Sequence, residues 1–320
     1  MIELLSYGAF FLTVALSYAI ICLGLNVQWG QTGLFNVGIA GFVAIGAYAS
    51  AILTTPDDPV RLGGFGLPIF AGWIGGAAAA AIASLLVGLL TIRLRSDYLA
   101  IATFGVAVVV QLSALNLEPL TGGPFGIGFI PRPFGWLAED RLTFGLLNFG
   151  LVAITVLCVY LGLERLLRSP WGRVLRAIRE DEQAALALGK NAFAFRLQAF
   201  AIGGAIMGLA GAVQAHFIGF IAPENYVPML TFQVWAMLIV GGSGNNLGAI
   251  LGAVLVWAVW AASAALISAA VPPEMQARAA ALQIVLIGIA ISVMLLVRPR
   301  GLLGEVRTVS RHVGASPPGN

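Results

Sequence analysis

The sequence predicts an all-α, polytopic membrane protein that crosses the bilayer about nine times. Hydrophobic residues make up 59% of the 320 residues and charged residues only 10%, whereas a soluble domain carries roughly 25% charged residues. The chain also contains 40 glycines, as expected for helices that pack closely in lipid through small residues. The chain also contains long uncharged runs, close to the length of about 20 residues that a helix needs to cross the hydrocarbon. The net charge of +3 gives no indication of a nucleic-acid partner.

Nine apolar runs are candidate membrane spans. The seventh run is short, and the glycine-rich stretch before the second is compatible with a re-entrant half-helix, so the predicted range is eight to ten. We predict a single transmembrane domain over 1–304 and a disordered cytoplasmic tail over 305–320. The nine runs are 8–27, 36–54, 67–92, 98–117, 142–163, 197–220, 227–240, 248–270 and 280–297.

The charges at the ends of these runs predict an orientation. Cytoplasmic loops of membrane proteins are enriched in Lys and Arg, so the side with most basic residues is expected to be cytoplasmic. This places the N-terminus on the outer, periplasmic side and the C-terminus in the cytoplasm. The basic residues on the predicted inner side are Arg93, Arg95, Arg165, Arg168, Arg173, Arg176, Arg179, Lys190, Arg196, Arg298, Arg300, Arg307 and Arg311. The acidic residues on the outer side are Glu3, Asp57, Asp58, Glu118, Glu139, Asp140, Glu224 and Glu274.

The longest cytoplasmic stretch, 164–196, contains the signals of a capped amphipathic helix. Ser169 and Pro170 suit the N-cap and first helical position, and Gly189 suits the C-terminal stop. Such a helix either lies on anionic lipid or inserts into a groove on a cytosolic partner. Its acidic residues favour the partner, because anionic headgroups repel them. The apolar stripe is Trp171, Val174, Leu175 and Ile178, and the charged residues are Arg173, Arg176, Arg179, Glu180, Asp181 and Glu182.

The sequence shows no energy source of its own. A phosphate-binding loop needs the pattern G-x-x-x-x-G-K-[ST], but the single lysine, Lys190, is followed by Asn191. If transport is active, another subunit must therefore supply the energy. The runs also lack Asp, Glu, Lys or Arg in their middles. This weakens the interpretation as an ion-coupled carrier, although a broken helix can bind ions through its carbonyls.

Several segments, in order along the chain, resemble the M-type permease subunit of branched-chain amino acid ABC importers. The cytoplasmic segment WGRVLRAIREDEQAALALGKN carries the resemblance together with five others. Many relatives carry a histidine where this chain has Ile39. Urea and short-chain amide permeases share most of these motifs. The other segments are GLNVQWGQTGLFNVGIAGFVAIGAY (24–48), RSDYLAIATFGVAVVVQL (95–112), LTGGPFGI (120–127), VGGSGNNLGAILGA (240–253) and RPRGLLG (298–304).

The resemblance implies a function and a set of partners. Such a subunit belongs to an ATP-driven, binding-protein-dependent importer of branched-chain or other hydrophobic amino acids in the bacterial inner membrane. It pairs with a homologous second permease as a heterodimer. Two cytosolic ATPase subunits carry the ATP and Mg, so this chain needs no cofactor and is not an enzyme, and a periplasmic binding protein delivers the substrate. The loop 164–196 would dock on an ATPase. The alternatives are a urea or short-chain amide permease, a stand-alone channel or ion-coupled carrier, and a structural scaffold.

Polar side chains within the runs are candidates for the substrate pathway. Asn36 leads, because it lies in 33–38, where glycines can break a helix and free backbone groups to line a cavity. The alternative for each is a hydrogen bond between helices. The selected pathway residues are Asn36, Gln111, Gln214 and Gln233; the wider set adds Asn26, Asn116, Gln198, His216 and Gln283.

Three groups of glycines mark helix contacts and turns. Those in and after the 33–38 segment suit close helix packing. The second group marks an outer turn, which is a candidate contact for the binding protein, and the third group marks an inner turn. The packing glycines are Gly33, Gly38, Gly41 and Gly46; the outer turn has Gly122 and Gly123, and the inner turn Gly241, Gly242 and Gly244.

Overall fold

The computed structural model describes residues 2–57, 61–297 and 301–305. Within them all the named secondary-structure elements are helices, and an isolated antiparallel bridge pairs Ile127 with Ile221. The all-α prediction is therefore confirmed. Predictions that concern Asp58, Arg298, Arg300, Arg307, Arg311 and the tail beyond Glu305 lie outside the described residues.

Each of the nine predicted runs falls on an α-helix. Three further helices, α5, α7 and α8, are short or amphipathic and lie between them. The helices are α1 (Ile2–Leu25), α2 (Ile39–Thr54), α3 (Ile69–Thr91), α4 (Ser96–Asn116), α5 (Glu118–Thr121), α6 (Arg141–Arg168), α7 (Pro170–Glu180), α8 (Glu182–Ala187), α9 (Ala192–Ile218), α10 (Pro228–Gly241), α11 (Asn246–Ala270) and α12 (Gln276–Val297). Short 3-10 turns lie at Gly123–Phe125, Gly135–Leu137, Pro223–Tyr226 and Pro273–Met275.

In the described part of the chain, six helical stretches are long and apolar enough to cross a membrane. They are Leu5–Gly30, Ile69–Thr91, Ser96–Asn116, Arg141–Arg168, Ala192–Ile218 and Asn246–Ile267. Helices α2 and α10 are apolar but have only 16 and 14 residues. At about 1.5 Å per residue they are shorter than the hydrocarbon core of about 30 Å. The count of nine and the orientation of the termini therefore stay predictions.

Two of the long helices form the centre of the molecule. In the most apolar stretches of α1 and α9, 72% and 61% of residues are buried, against 28% or less in the other four. The other four long helices instead expose large apolar side chains, such as Leu90 on α3 and Ile101 on α4. Exposed apolar surface of this extent suits contact with lipid tails or with another membrane subunit.

Glycines allow the central helices to touch at the backbone. A methyl group on Gly46 of α2 would overlap the backbone of Gly208 on α9. A methyl group on Gly76 of α3 would approach the carbonyl oxygen of Gly46. Helices α2, α3 and α9 thus meet without intervening side chains, as membrane helices rich in small residues do.

The C-terminal end of α9 is held in place by a buried histidine, His216. The Nδ1 of His216 lies 2.7 Å from the carbonyl oxygen of Pro131, and its Nε2 lies 2.9 Å from Oγ of Ser50. The nearby Ile127–Ile221 bridge ties the same loop, between α5 and α6, to the segment after α9. His216 therefore joins α9 to α2 and to the loop before α6. These hydrogen bonds favour a structural role for His216 over a role in the substrate pathway.

Helix α6 begins at a charged cap. The Asp140 carboxylate accepts hydrogen bonds from the backbone N–H groups of Leu142 and Thr143 and from the Thr143 hydroxyl. The hydrogen bond from the Thr143 side chain, followed by the one from its backbone, holds the pKa of Asp140 below its usual value. The cap is thus made by the ionised carboxylate.

Candidate functional site

The chain leaves helical geometry between α1 and α2, inside the protein core. Helix α1 continues as a π-helical turn over Asn26–Gly30, and residues 31–38 are non-helical although most of them are buried. Helix α2 begins only at Ile39, three residues after the predicted start of the second run. We call residues 26–38 the break. Irregular backbone at membrane depth needs protein partners for its polar groups, and π-turns occur often at functional sites.

Asn36 supplies several of these partners. It is fully buried; its Nδ2 donates to Oε1 of Gln28 at 2.7 Å, and its Oδ1 accepts from the Gly38 N–H at 2.7 Å. Its backbone oxygen accepts from Nε1 of Trp235 at 3.0 Å. Gln28 in turn donates to the carbonyl oxygen of Phe200 on α9 at 2.8 Å. Asn36 therefore determines the shape of the break through bonds within the protein.

Two threonines on neighbouring helices support the end of the break and the first turn of α2, which follows it. The Val37 N–H donates to Oγ1 of Thr103 on α4 at 3.0 Å. The Ala40 N–H donates to Oγ1 of Thr231 on α10 at 3.1 Å. Sequence reasoning missed both threonines, because a lone threonine in an apolar run has no distinctive pattern.

An aromatic cluster packs on the same segment. The rings of Phe35 and Trp235 have centroids 4.7 Å apart, and Trp29 lies 5.3 Å from each of them. Aromatic pairs at these separations and steep tilts are favourable. The break is therefore held by both polar and apolar contacts from α10.

The other three selected amides lie on three different helices. Gln111 is on α4, Gln214 on α9 and Gln233 on α10, and each is half-buried. Within the described part of the chain, no hydrogen bond joins these side chains to another protein group, to Asn36 or to one another. The structure thus does not bring the four selected residues into one cluster.

Most of the wider polar set forms hydrogen bonds between segments, as the alternative interpretation expected. Asn26 donates to Asn246 on α11 at 2.8 Å, Gln198 accepts from Trp171 at 2.8 Å, and Gln283 donates to Ser263 at 2.8 Å. Asn116 instead donates to the Leu112 carbonyl within its own helix.

The predicted glycines occupy packing positions or turns. Gly38 faces the backbone of Thr103 and Gly41 faces Ala107, both on α4, whereas Gly33 has a φ of 71°. Gly122 and Gly123 both adopt positive φ in the loop after α5.

The glycine turn that we predicted to lie on the inner side joins α10 to α11. Gly241 packs against the backbone of Gly248, and Gly242 and Gly244 have φ values of 109° and 88°. The Gly244 N–H donates to Oδ1 of Asn26 at 2.8 Å, which ties this turn to the start of the break.

The stretch 164–196, which we predicted to be cytoplasmic, contains two short helices, α7 and α8, where we predicted one. The start is as expected: Oγ of Ser169 accepts from the Trp171 N–H and Pro170 is the first helical residue. The interruption lies at Asp181, which has extended backbone angles and accepts from the Ala184 N–H as the N-cap of α8. An aspartate side chain competes with the helix for backbone N–H groups, which explains why the helix is interrupted at Asp181. Gly189, with a φ of 74°, follows the end of α8.

Helix α7 has a buried face and an exposed face. Leu175 and Ile178 are buried, and Trp171 and Val174 are half-buried against the core. The side chains of Arg173 and Glu180 are instead exposed. The predicted stripe therefore docks α7 on its own chain and leaves a charged face free.

The acidic residues of this stretch have different roles. Asp181 is a cap, and Glu182 pairs with Arg196 on α9 at 2.9 Å. Glu180, among the described residues, has neither an ion pair nor a capping bond. Of the three, Glu180 is thus the one free for a partner.

A polar cleft lies beside α7 at the same end of the molecule. It has a volume of about 340 Å³, and its lining includes Glu164, Arg176, Asn246 and Glu305. Glu164 accepts from Nδ2 of Asn246 at 3.1 Å, so the end of α6 is tied to the start of α11. Among the described residues, no group of three or more His, Cys, Asp or Glu side chains could hold a metal ion.

These features define a multi-pass helical membrane protein with a buried break and with a capped, charged helix, α7, beside the polar cleft. Residues 8–295 match the family described as "Branched-chain amino acid transport system / permease component". The chain belongs to this family.

Individual relatives agree with the family match. The chain is 37% identical over 270 residues to the high-affinity branched-chain amino acid transport system permease protein LivM of Salmonella typhimurium, covering 76% of this chain and 60% of the relative. It is 29% identical over 266 residues to the probable LivM of Methanocaldococcus jannaschii, covering 73% and 75%. It is 25% identical over 264 residues to LivH of Salmonella typhimurium, covering 80% and 84%. The match thus spans about three-fifths of the Salmonella LivM length.

Proposed function

We propose that this chain is the transmembrane permease subunit of an ATP-driven, binding-protein-dependent importer of branched-chain or other hydrophobic amino acids. The observation that carries the proposal is α7, a capped helix that packs its apolar face on the core and leaves Arg173 and Glu180 exposed. Such a charged face suits insertion of α7 into a groove on a cytosolic ATPase. The family match and the missing phosphate-binding motif support a transport subunit powered by other chains.

The proposal includes nine crossings of the bacterial inner membrane by one permease domain, 1–304, with a cytoplasmic tail over 305–320. Helix α2 crosses together with the non-helical residues 31–38 that precede it, and helix α10 crosses together with the preceding 3-10 turn. With the N-terminus in the periplasm, α7 and its arginines lie in the cytoplasm, in agreement with the distribution of basic residues.

The proposed pathway is lined by Gln111, Gln214 and Gln233. A half-buried amide without a protein partner can exchange hydrogen bonds with water or with a passing solute. Asn36 contributes by holding the shape of the break, since its own polar groups bind within the protein. A small zwitterion needs such exchangeable partners along its route.

The proposed partners are a homologous second permease, two cytosolic ATPases that carry ATP and Mg, and a periplasmic binding protein. Two permease proteins of one named transport system in Salmonella typhimurium, LivM and LivH, are both similar to this chain. This similarity supports pairing with a related permease as a heterodimer.

Charge reversal on α7 tests the coupling function. In the reconstituted complex, Arg176→Glu with Glu180→Arg is expected to abolish ATP-driven uptake while ATP hydrolysis and membrane insertion continue. Lys190→Glu, an exposed charge reversal just beyond α8, is the matched control and should leave uptake unchanged. Normal uptake by the α7 variant would refute the proposed role of this helix.

A further inference from the structure

One arginine of α7 points inward and joins three distant segments. The Arg179 side chain is 22% exposed, in contrast to the exposed Arg173 six residues earlier. Its Nη1 donates to the carbonyl oxygen of Gly30, the last residue of the π-turn. Its Nη2 donates to both carboxylate oxygens of Glu305, at 2.8 Å each. Helix α7 is therefore hydrogen-bonded directly to the break, through Gly30, and to the last described residue, Glu305.

The partner of Arg179 belongs to a short segment that is itself anchored on α10. The N–H groups of Leu302 and Leu303 donate to the carbonyl oxygens of Val240 and Gly241, at 2.9 and 3.0 Å. Glu305 also packs against Gly244. We call residues 301–305 the strap. The strap extends the contacts of Arg179 to the helix that supplies Trp235 to the break.

These contacts form a closed ring. The residue after Gly30, Gln31, donates through Nε2 to the carbonyl oxygen of Gly244 at 3.0 Å. The ring therefore runs from α7 through Gly30 and Gln31 to the inner turn, then through the strap back to Arg179. Charge-assisted hydrogen bonds of an arginine are strong and geometrically demanding, so the ring holds α7 in one position against the break.

We propose that Arg179, with Glu305 as its counter-charge, is the positioning residue through which a displacement of α7 changes the break. This inference rests on the proposed function. When a partner moves α7 outward, Arg179 leaves Gly30 and Glu305, and the end of the π-turn and the strap are released together. The polar cleft beside α7, which Arg176 and Glu305 line, leaves space for this movement.

Separate measurements of ATP hydrolysis and substrate uptake by the reconstituted complex test the inference. Arg179→Glu is expected to raise the number of ATP molecules consumed per substrate imported by about tenfold. This factor lies within the range of about 5- to 150-fold by which coupled sites typically affect each other. The double variant Arg179→Glu/Glu305→Arg should recover much of the loss, since it restores an ion pair. Glu305→Gln keeps the shape of the side chain and removes the charge, so it should give an intermediate ratio.

The design separates coupling from folding and from the broader function. If Arg179 only stabilises the fold, all variants lower the amount of complex without changing ATP per substrate, and that result overturns the inference. A wild-type ratio for Arg179→Glu and Glu305→Gln, while the Arg176→Glu/Glu180→Arg variant is uncoupled, also overturns it and leaves the proposed function intact. Failure of the proposed function itself would appear as uptake by the wild-type complex that does not depend on ATP.

Discussion

Substitution of Gly46 tests the packing that forms the core. In Gly46→Ala, the added methyl group would overlap the backbone of Gly208, which cannot move aside as a flexible side chain can. Helices α2 and α9 must then separate, and overpacking of this kind costs about 1–3 kcal/mol. The higher helix propensity of alanine offsets up to about 1 kcal/mol of that cost.

A second glycine on a membrane helix provides the control. Gly105 on α4 has nothing within 4 Å of the position where a methyl group would stand. Gly105→Ala therefore gains the propensity term without the overlap. The propensity terms cancel in the comparison, so the two variants should differ by about 1–3 kcal/mol in the free energy of unfolding.

Thermal unfolding of the purified protein in detergent measures the difference. We expect the Tm of Gly46→Ala to fall several degrees below that of wild type, and the Tm of Gly105→Ala to equal or exceed it. Equal Tm values for the two variants would show that α2 and α9 do not meet at their backbones, and the described core would be wrong.

Three further predictions concern the break, the orientation and the cap of α6. Asn36→Leu leaves the Gln28 amide oxygen unpaired in a buried site, at a cost of about 1–3 kcal/mol, and should lower both Tm and uptake; unchanged values of both would contradict the role of Asn36. Arg173→Cys in a Cys158→Ser background should react with an impermeant maleimide in inside-out vesicles and not in intact cells; labelling of intact cells would reverse the orientation. The lowered pKa of Asp140 means that its charged form stabilises the folded state above the usual carboxyl pKa, and that this contribution is lost as pH falls through the lowered value. Asp140→Ala should therefore lower Tm at neutral pH and differ little from wild type well below about pH 4; a constant difference would contradict the charged cap.

The helices and several of their ends follow from local sequence signals. Ser169, Pro170 and Gly189 act where they stand, because capping depends on a few neighbouring residues. The apolar runs likewise depend only on composition over about 20 residues. These features could be predicted without knowledge of the tertiary fold.

The contacts of the break could not be predicted in the same way. Thr103 and Thr231 accept hydrogen bonds from residues 66 and 191 positions away in the chain, and nothing in the sequence pairs them. The interruption at Asp181 depends on a single cap within a helix-forming stretch. Arg179 has the same local pattern as Arg173 and Arg176, and only the packing of α7 decides that it faces Gly30.

Uptake by reconstituted liposomes tests the central claim most directly. We predict that a radiolabelled branched-chain amino acid accumulates only when this chain, a second permease, the ATPases, the loaded binding protein and ATP are all present. Accumulation by liposomes that contain this chain alone, without ATPases, would contradict the account and would identify a channel or an ion-coupled carrier instead.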